Sequence, residues 1–175
     1  MQYRSPSLKP RTPEEFLEPM VLDCRVTFRD LDLNMHMNNA RYARSAEYGR
    51  LFFVLKNGMD VVIKEMGATV VMSAMTTRFR RELRLLQKYK LVTRAVYWTT
   101  NDVFFEQRFE TGPDCFVNCI MYAKIRLVNA TIPDVIKTIC NGKQVPSPDP
   151  PKDLLKWIEY INSSSEALKS EIKKS

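Results

Sequence analysis

Residues 29–42 read Arg29-Asp30-Leu31-Asp32-Leu33-Asn34-Met35-His36-Met37-Asn38-Asn39-Ala40-Arg41-Tyr42. Two carboxylates, the chain's only histidine and a pair of asparagines meet there. Asn38 and Asn39 mark a helix start, because an asparagine side chain accepts hydrogen bonds from the free amides of a first helical turn. Ala40–Lys56 then runs without proline, and Tyr42, Ala46, Gly49 and Phe53 recur at helical spacing on one face. Asn57-Gly58 is the expected stop. Upstream, Val21–Phe28 carries β-branched Val21, Val26 and Thr27 and reads as a strand. Arg29–Met37 is thus a loop between a strand and a long helix.

Beyond the helix, Val61–Met66 reads as a short helix or an irregular turn. From Gly67 the pattern becomes extended. Ala68–Arg81, Tyr89–Thr100, Val103–Glu110 and Cys115–Val128 read as long strands, with turns at Asn101-Asp102 and Thr111–Asp114. Ile132–Cys140 reads as a short helix begun by Thr131 and ended at Asn141-Gly142. One strand, one long helix and a run of antiparallel strands describe an α+β fold, a curved antiparallel sheet wrapped around a central helix.

The chain ends divide differently. Residues 1–20 form a proline-bearing arm in which Thr12 can cap one helical turn starting at Pro13. Residues 21–145 form the domain. Residues 146–175 hold a proline-rich linker and a C-terminal helix expected to pack on the domain. Asp153–Lys173 is amphipathic, with Leu154, Leu155, Trp157, Ile158 and Ile161 as its apolar side. Ser163-Ser164-Ser165 is expected to break or restart it.

With 175 residues, 45% hydrophobic and 27% charged, the chain can bury the core of one globular domain. Its net charge of +7 admits nucleic acid, an anionic membrane surface, an anionic small substrate or simply a solvated basic surface. The basic residues are spread along the chain and no nucleic-acid motif appears, so nucleic acid is set aside. No apolar run approaches the roughly 20 residues that span a bilayer, and the expectation is a soluble, cytoplasmic protein. Cys24, Cys115, Cys119 and Cys140 form no C-x-x-C pair, and one histidine is too few for an ordinary zinc site, so no metal is expected. Cys115 and Cys119 lie in a largely apolar run and read as buried free thiols.

Residues 29–42 also suit chemistry. Free amides and the helix dipole at a helix start favour a developing oxyanion, and a nearby carboxylate can attack a carbonyl or deprotonate water. The competing reading makes Asp30 and Asp32 turn and cap residues and His36 an ordinary loop histidine.

The pattern D-x-D-x-x-x-H-x-N-N-x-x-Y, here Asp30, Asp32, His36, Asn38, Asn39 and Tyr42, resembles the motif of the 4-hydroxybenzoyl-CoA thioesterase-type hotdog family. The likeness continues through Arg80–Leu86 and Asp153–Ile158. It implies a hotdog fold, a homodimer, an acyl-CoA substrate and a place in lipid metabolism, with no cofactor. By the resemblance Asp32 is the catalytic carboxylate and backbone amides near Asn38, Asn39 and Ala40 bind the oxyanion. Asn39 faces the substrate, while His36 and Asn38 hold the loop's shape. Glu47 and Arg50 match a carboxylate and an arginine of the family's helix and read first as a structural ion pair, because a buried charge needs a partner, and second as a further catalytic acid. Two positions depart from the pattern. Met35 stands where many relatives have glycine, and Gln87-Lys88 follows the arginine-rich strand. Some relatives begin with a hydrophobic anchor for the endoplasmic reticulum membrane. None appears here, which leaves a soluble relative or a shortened N-terminus.

Tyr42, Arg78, Arg80 and Arg81 are candidate substrate-binding residues, the arginines because CoA carries phosphates. On a strand Arg78 and Arg80 share a face and Arg81 takes the other. A solvated, charge-protected strand edge explains the same arginines equally well. Val70–Met75 and Phe116–Met121 read as core, or as the lining of an acyl channel. Two functions follow: hydrolysis of a fatty or aromatic acyl-CoA, or a non-catalytic hotdog that binds acyl chains or a protein partner. The amphipathic tail leaves a membrane surface open as a further partner.

Overall fold

The computed structural model describes residues 10–172. Residues 1–9 of the expected arm and Lys173 of the expected tail helix lie outside them. Thr12 caps the first helix, α1 (Pro13–Leu17), as the sequence suggests. Its hydroxyl accepts from the Glu15 amide at 3.2 Å, and the Glu15 carboxylate accepts from the Thr12 amide at 2.9 Å. Proline fits at such a start because the first amides of a helix have no intrahelical acceptor. Phe16 of α1 is fully buried and meets Phe53 and Trp98 edge-on, each at 5.9 Å between centroids. The end of the expected arm is therefore anchored in the core.

Strand β1 (Met20–Arg25) leads through a short 3-10 turn, Phe28–Asp30, into the long helix α2 (Asn39–Lys56). Helix α3 (Met59–Glu65) follows at once, because Gly58 adopts φ +68° and redirects the chain. Four long strands come next: β2 (Thr69–Phe79), β3 (Lys88–Trp98), β4 (Asp102–Thr111) and β5 (Phe116–Val128). The sheet is antiparallel throughout, in the order β1-β3-β4-β5-β2. Register shifts at Met72/Ala74, Ala95/Tyr97 and Phe109/Glu110 interrupt the ladders and bend the strands around the helix. This is the hotdog arrangement that the motif implies.

Helix α2 lies against the inner face with Tyr42, Ala46, Gly49 and Phe53 buried, the four residues that the sequence places on one side. A Cβ on Gly49 would meet Thr93 Oγ1 at 2.5 Å and Gln107 Nε2 at 2.9 Å, so glycine sets how closely helix and sheet approach. Between them lies a polar knot. The Gln107 amide donates to Ala46 O at 2.6 Å and Thr93 Oγ1 at 3.0 Å, and its oxygen accepts from Arg50 at 2.5 Å. Arg50 is buried, and the expected ion pair with Glu47 is not formed: Glu47 is exposed and no carboxylate lies within 4 Å of the guanidinium among the described residues. The neutral amide oxygen of Gln107 takes that place.

Helix α4 (Ile132–Ile139) is capped by Thr131 and closes the core beside α3, with Ile132, Val135, Ile136 and Ile139 buried. Helix α5 (Lys152–Ile172) packs its N-terminal turns on the outer face, placing Leu154, Trp157 and Ile158 on Phe104 and Tyr122. It is unbroken through Ser163-Ser164-Ser165. A serine costs a helix less than about 1 kcal/mol, and no proline or glycine interrupts the segment. Leu155 is exposed rather than on the packed side. Among the described residues no helix is long and apolar enough to cross a membrane.

Two further expectations change. Cys119 is buried, but Cys115 is exposed in the turn before β5, with φ +50°. Val70, Val71, Met72 and Met75 are not core. They lie exposed on β2, an edge strand that pairs with β5 on one side alone.

Candidate active site

The loop before α2 separates the two acids. The Asp30 carboxylate accepts from the Thr27 amide at 2.8 Å and the Thr27 hydroxyl at 2.7 Å, closing the 3-10 turn. Asp30 is a cap. Asp32 instead folds back on its own loop. Its Oδ1 accepts from the Asn34 amide at 2.8 Å and the His36 amide at 3.3 Å, while its amide donates to His36 O at 2.9 Å. Its Oδ2 makes no hydrogen bond within the described residues. One oxygen is fixed and the other is free.

Met35 completes this tight loop at φ +62°, the left-handed region that suits glycine. Met35 adopts this conformation without the freedom of a glycine. Farther along, Met37 donates to Leu83 O at 2.8 Å, and His36 bridges Arg84 across the same gap. The segment after β2 thus holds the loop from the other side.

At the helix start the three candidate amides differ. Asn38 donates to Asp30 O at 2.7 Å, and Ala40 donates to the Asn38 side chain at 2.9 Å, the cap that the sequence predicts. The Asn39 amide makes no hydrogen bond within the described residues and remains available beside the positive end of α2.

Asp32, His36, Asn39, Tyr42, Arg80 and Arg81 line one cleft of about 400 Å³. Tyr42 is buried at its floor, with its ring edge-on to Phe79 at 5.2 Å and its hydroxyl accepting from the Leu83 amide at 3.2 Å. Burial pushes the phenol up to about 12, so it stays protonated and anchors the loop. Glu82, at the rim, also lines the cleft and was not singled out from the sequence. Its carboxyl is held below the ordinary value by a backbone hydrogen bond, aided by Arg84 and His36. The Arg80–Leu86 likeness was the signal pointing there.

Arg78 and Arg80 share the outer-face groove, which Arg81 does not line, while Arg80 also reaches the Asp32 cleft beside Arg81. Strand β2 ends at Phe79, and Arg80 and Arg81 both sit over the Phe116 ring, at 4.9 Å and 4.0 Å from its centroid. Arg78 is absent from the cleft and lies in a groove on the outer face. Glu47 and Arg50 also lie apart from the Asp32 cleft, beside an apolar one of about 420 Å³ between α2, α3 and the sheet.

The chain is similar to proteins of known sequence and structure. Protein THEM6 of Danio rerio is 34% identical over 157 residues, covering 90% of this chain and 77% of that protein. Protein THEM6 of Xenopus laevis is 34% identical over 142 residues, covering 81% and 68%. Among solved structures, YbaW, a probable thioesterase from Escherichia coli, superposes with a TM-score of 0.63 at 16% identity, covering 73% of this chain and 99% of that one. The hypothetical protein SAV2348 from Staphylococcus aureus, solved in complex with CoA, gives 0.64 at 16% identity, covering 78% and 92%. These two likenesses establish the shared hotdog fold. Residues 26–158, which contain the loop, the long helix and strands β2 to β5, match the profile of the thioesterase-like superfamily, and the chain belongs to it.

Proposed function

We propose that the protein hydrolyses acyl-CoA thioesters, with Asp32 as the reacting carboxylate. The observation that carries this reading is the division of labour at Asp32. Two backbone amides hold Oδ1, and Oδ2 is left free in a cleft shared with Asn39. In one route Oδ2 takes a proton from water as the water oxygen bonds to the thioester carbon. In the other Oδ2 itself attacks, and water later cleaves the resulting anhydride. Either way the carbonyl oxygen becomes an oxyanion, for which the free Asn39 amide is the donor at hand. The C–S bond breaks, and CoA thiol and a carboxylic acid leave. Solved structures that share the fold include a gentisyl-coenzyme A thioesterase and a 1,4-dihydroxy-2-naphthoyl-CoA thioesterase, which supports a CoA thioester as the substrate class.

Thiol release from short, long and aromatic acyl-CoA, with the wild type and Asp32→Asn side by side, tests the assignment. Turnover lost in the variant is the expected result, and full turnover in a folded variant excludes Asp32. Single-turnover hydrolysis in heavy-oxygen water separates the routes, since only nucleophilic attack labels Asp32.

A second reading is a binding protein without hydrolysis. The apolar cleft beside α2, lined by Leu51, Val54, Ile63, Met72 and Phe105, favours it because it shares no lining residue with the Asp32 cleft. Tight acyl-CoA binding with no thiol release would support that reading.

The active unit in this proposal is a homodimer. Strand β2 exposes Val70, Val71 and Met72, and α2 exposes Leu51, Phe52 and Leu55 beside it. An apolar edge strand with an open ladder invites pairing, and a second copy of the same edge satisfies it symmetrically.

A further inference from the structure

The outer face of the sheet holds a groove of about 580 Å³ that the catalytic proposal does not use. Arg78 and Arg80 enter it from the end of β2, Arg108 from β4, Tyr122 from β5 and Trp157 from α5. Arg108 is neutralised by Glu106, a buried carboxylate 2.8 Å from its Nε. Arg78 and Arg80 have no carboxylate within 4 Å among the described residues. Asp153, the one other acid on the wall, has its Oδ2 3.0 Å from the Tyr122 hydroxyl. Arg80 donates one N–H to Val117 O at 3.1 Å and the Arg78 side chain makes no hydrogen bond among the described residues, so two guanidinium groups without a carboxylate partner face one engaged carboxylate.

The rest of the groove is aromatic and apolar. Trp157 is half-buried and stacks on Tyr122 at 6.4 Å, with Val117 and Ile120 nearby. Planar guanidinium forks match phosphate oxygens, and an indole ring offers a flat apolar surface to a heterocycle. Together they suit a phosphorylated nucleoside better than a bare anion or a plain acyl chain. Arg80 lines both this groove and the Asp32 cleft, so the two adjoin at the end of β2.

We propose that this groove binds the phosphorylated adenosine end of a CoA thioester, whose acyl end reaches Asp32 past Arg80. The inference rests on the acyl-CoA reading above and adds Arg78 and Trp157 as recognition residues for the nucleotide.

Calorimetric titration of the full chain with adenosine 3′,5′-bisphosphate tests it, with pyrophosphate as the comparison ligand. Arg78→Glu is the test variant, because Arg78 is exposed and absent from the Asp32 cleft. The bisphosphate is expected to bind more tightly than pyrophosphate and to lose about tenfold or more in affinity in the variant. The KM advantage of acyl-CoA over the matching acyl-pantetheine is expected to shrink in parallel. Equal bisphosphate binding by wild type and Arg78→Glu overturns the groove, as does pyrophosphate binding as tightly as the nucleotide. Thiol release persisting alongside either result leaves the hydrolase standing. Bisphosphate binding that depends on Arg78, in a protein releasing no thiol, supports the groove and rejects the hydrolase.

Discussion

The Arg50 guanidinium donates to the Gln107 side-chain oxygen at 2.5 Å, joining the middle of α2 to β4 in the interior. Burial holds the Arg50 group below its ordinary value, with Glu47 opposing from a distance. Removing the acceptor strands a buried charge. Gln107→Leu is expected to destabilise the fold by about 2–3 kcal/mol, measured by urea denaturation. Arg50→Met in the Gln107→Leu background is expected to recover part of that loss, because both polar partners are then gone. A double mutant whose loss equals the sum of the single losses would show the pair to be uncoupled.

Met35 gives a prediction of the opposite sign. A residue with a Cβ in the left-handed region is strained by about 1 kcal/mol, and Met35 is exposed with no core packing to lose. Met35→Gly is expected to raise stability by up to about 1 kcal/mol, less the entropy that glycine brings to the unfolded chain. A lower melting temperature would mean that Met35 makes a compensating contact.

Asp102 supplies a pH dependence. Burial opposes its charge, but hydrogen bonds from Arg126 at 2.8 and 2.9 Å and the Lys124 ammonium at 3.2 Å outweigh burial and hold the carboxyl below its ordinary value. The unfolded chain, with the higher value, takes up this proton first on acidification. The stabilisation is thus fully present above about pH 4 and is lost as pH falls through the folded value. Asp102→Asn should flatten the fall of stability below about pH 4 relative to wild type. Parallel curves for the two proteins would reject this role.

The edge strand predicts assembly behaviour. Val71→Lys places a charge on the exposed apolar edge without touching the Asp32 cleft. Sedimentation velocity should show a dimer for wild type and a shift toward monomer for the variant. A variant that stays dimeric at micromolar concentration would move the interface elsewhere.

Much of this was legible in the residues. Asn38 announced the helix start through its capping chemistry, and Tyr42, Ala46, Gly49 and Phe53 announced the buried face through spacing alone. The strands were equally plain because their turns are marked by Asn101-Asp102 and Gly112-Pro113. Partnerships between distant residues were not legible. Gln107 meets Arg50 from 57 positions away, and no local pattern carries that information. Nor could the spacing of Asp30 and Asp32 show that one closes a turn while the other keeps a free oxygen. The motif likeness separated them, and the loop's hydrogen bonds supply a physical reason. The depth of Phe16 was also hidden, because its surroundings Pro13-Glu14-Glu15 read as surface.

Helix α5 has a consequence for how large an assembly of this chain can grow by stacking. Two β-sheets pack face to face at about 10 Å. A helix with its side chains is itself about 10 Å across, and the N-terminal turns of α5 sit on the outer face over Phe104 and Tyr122. Close back-to-back stacking over the Phe104–Tyr122 part of the sheet is therefore barred while the N-terminal turns of α5 stay docked. A larger particle that stacks through this part of the sheet must first displace those turns.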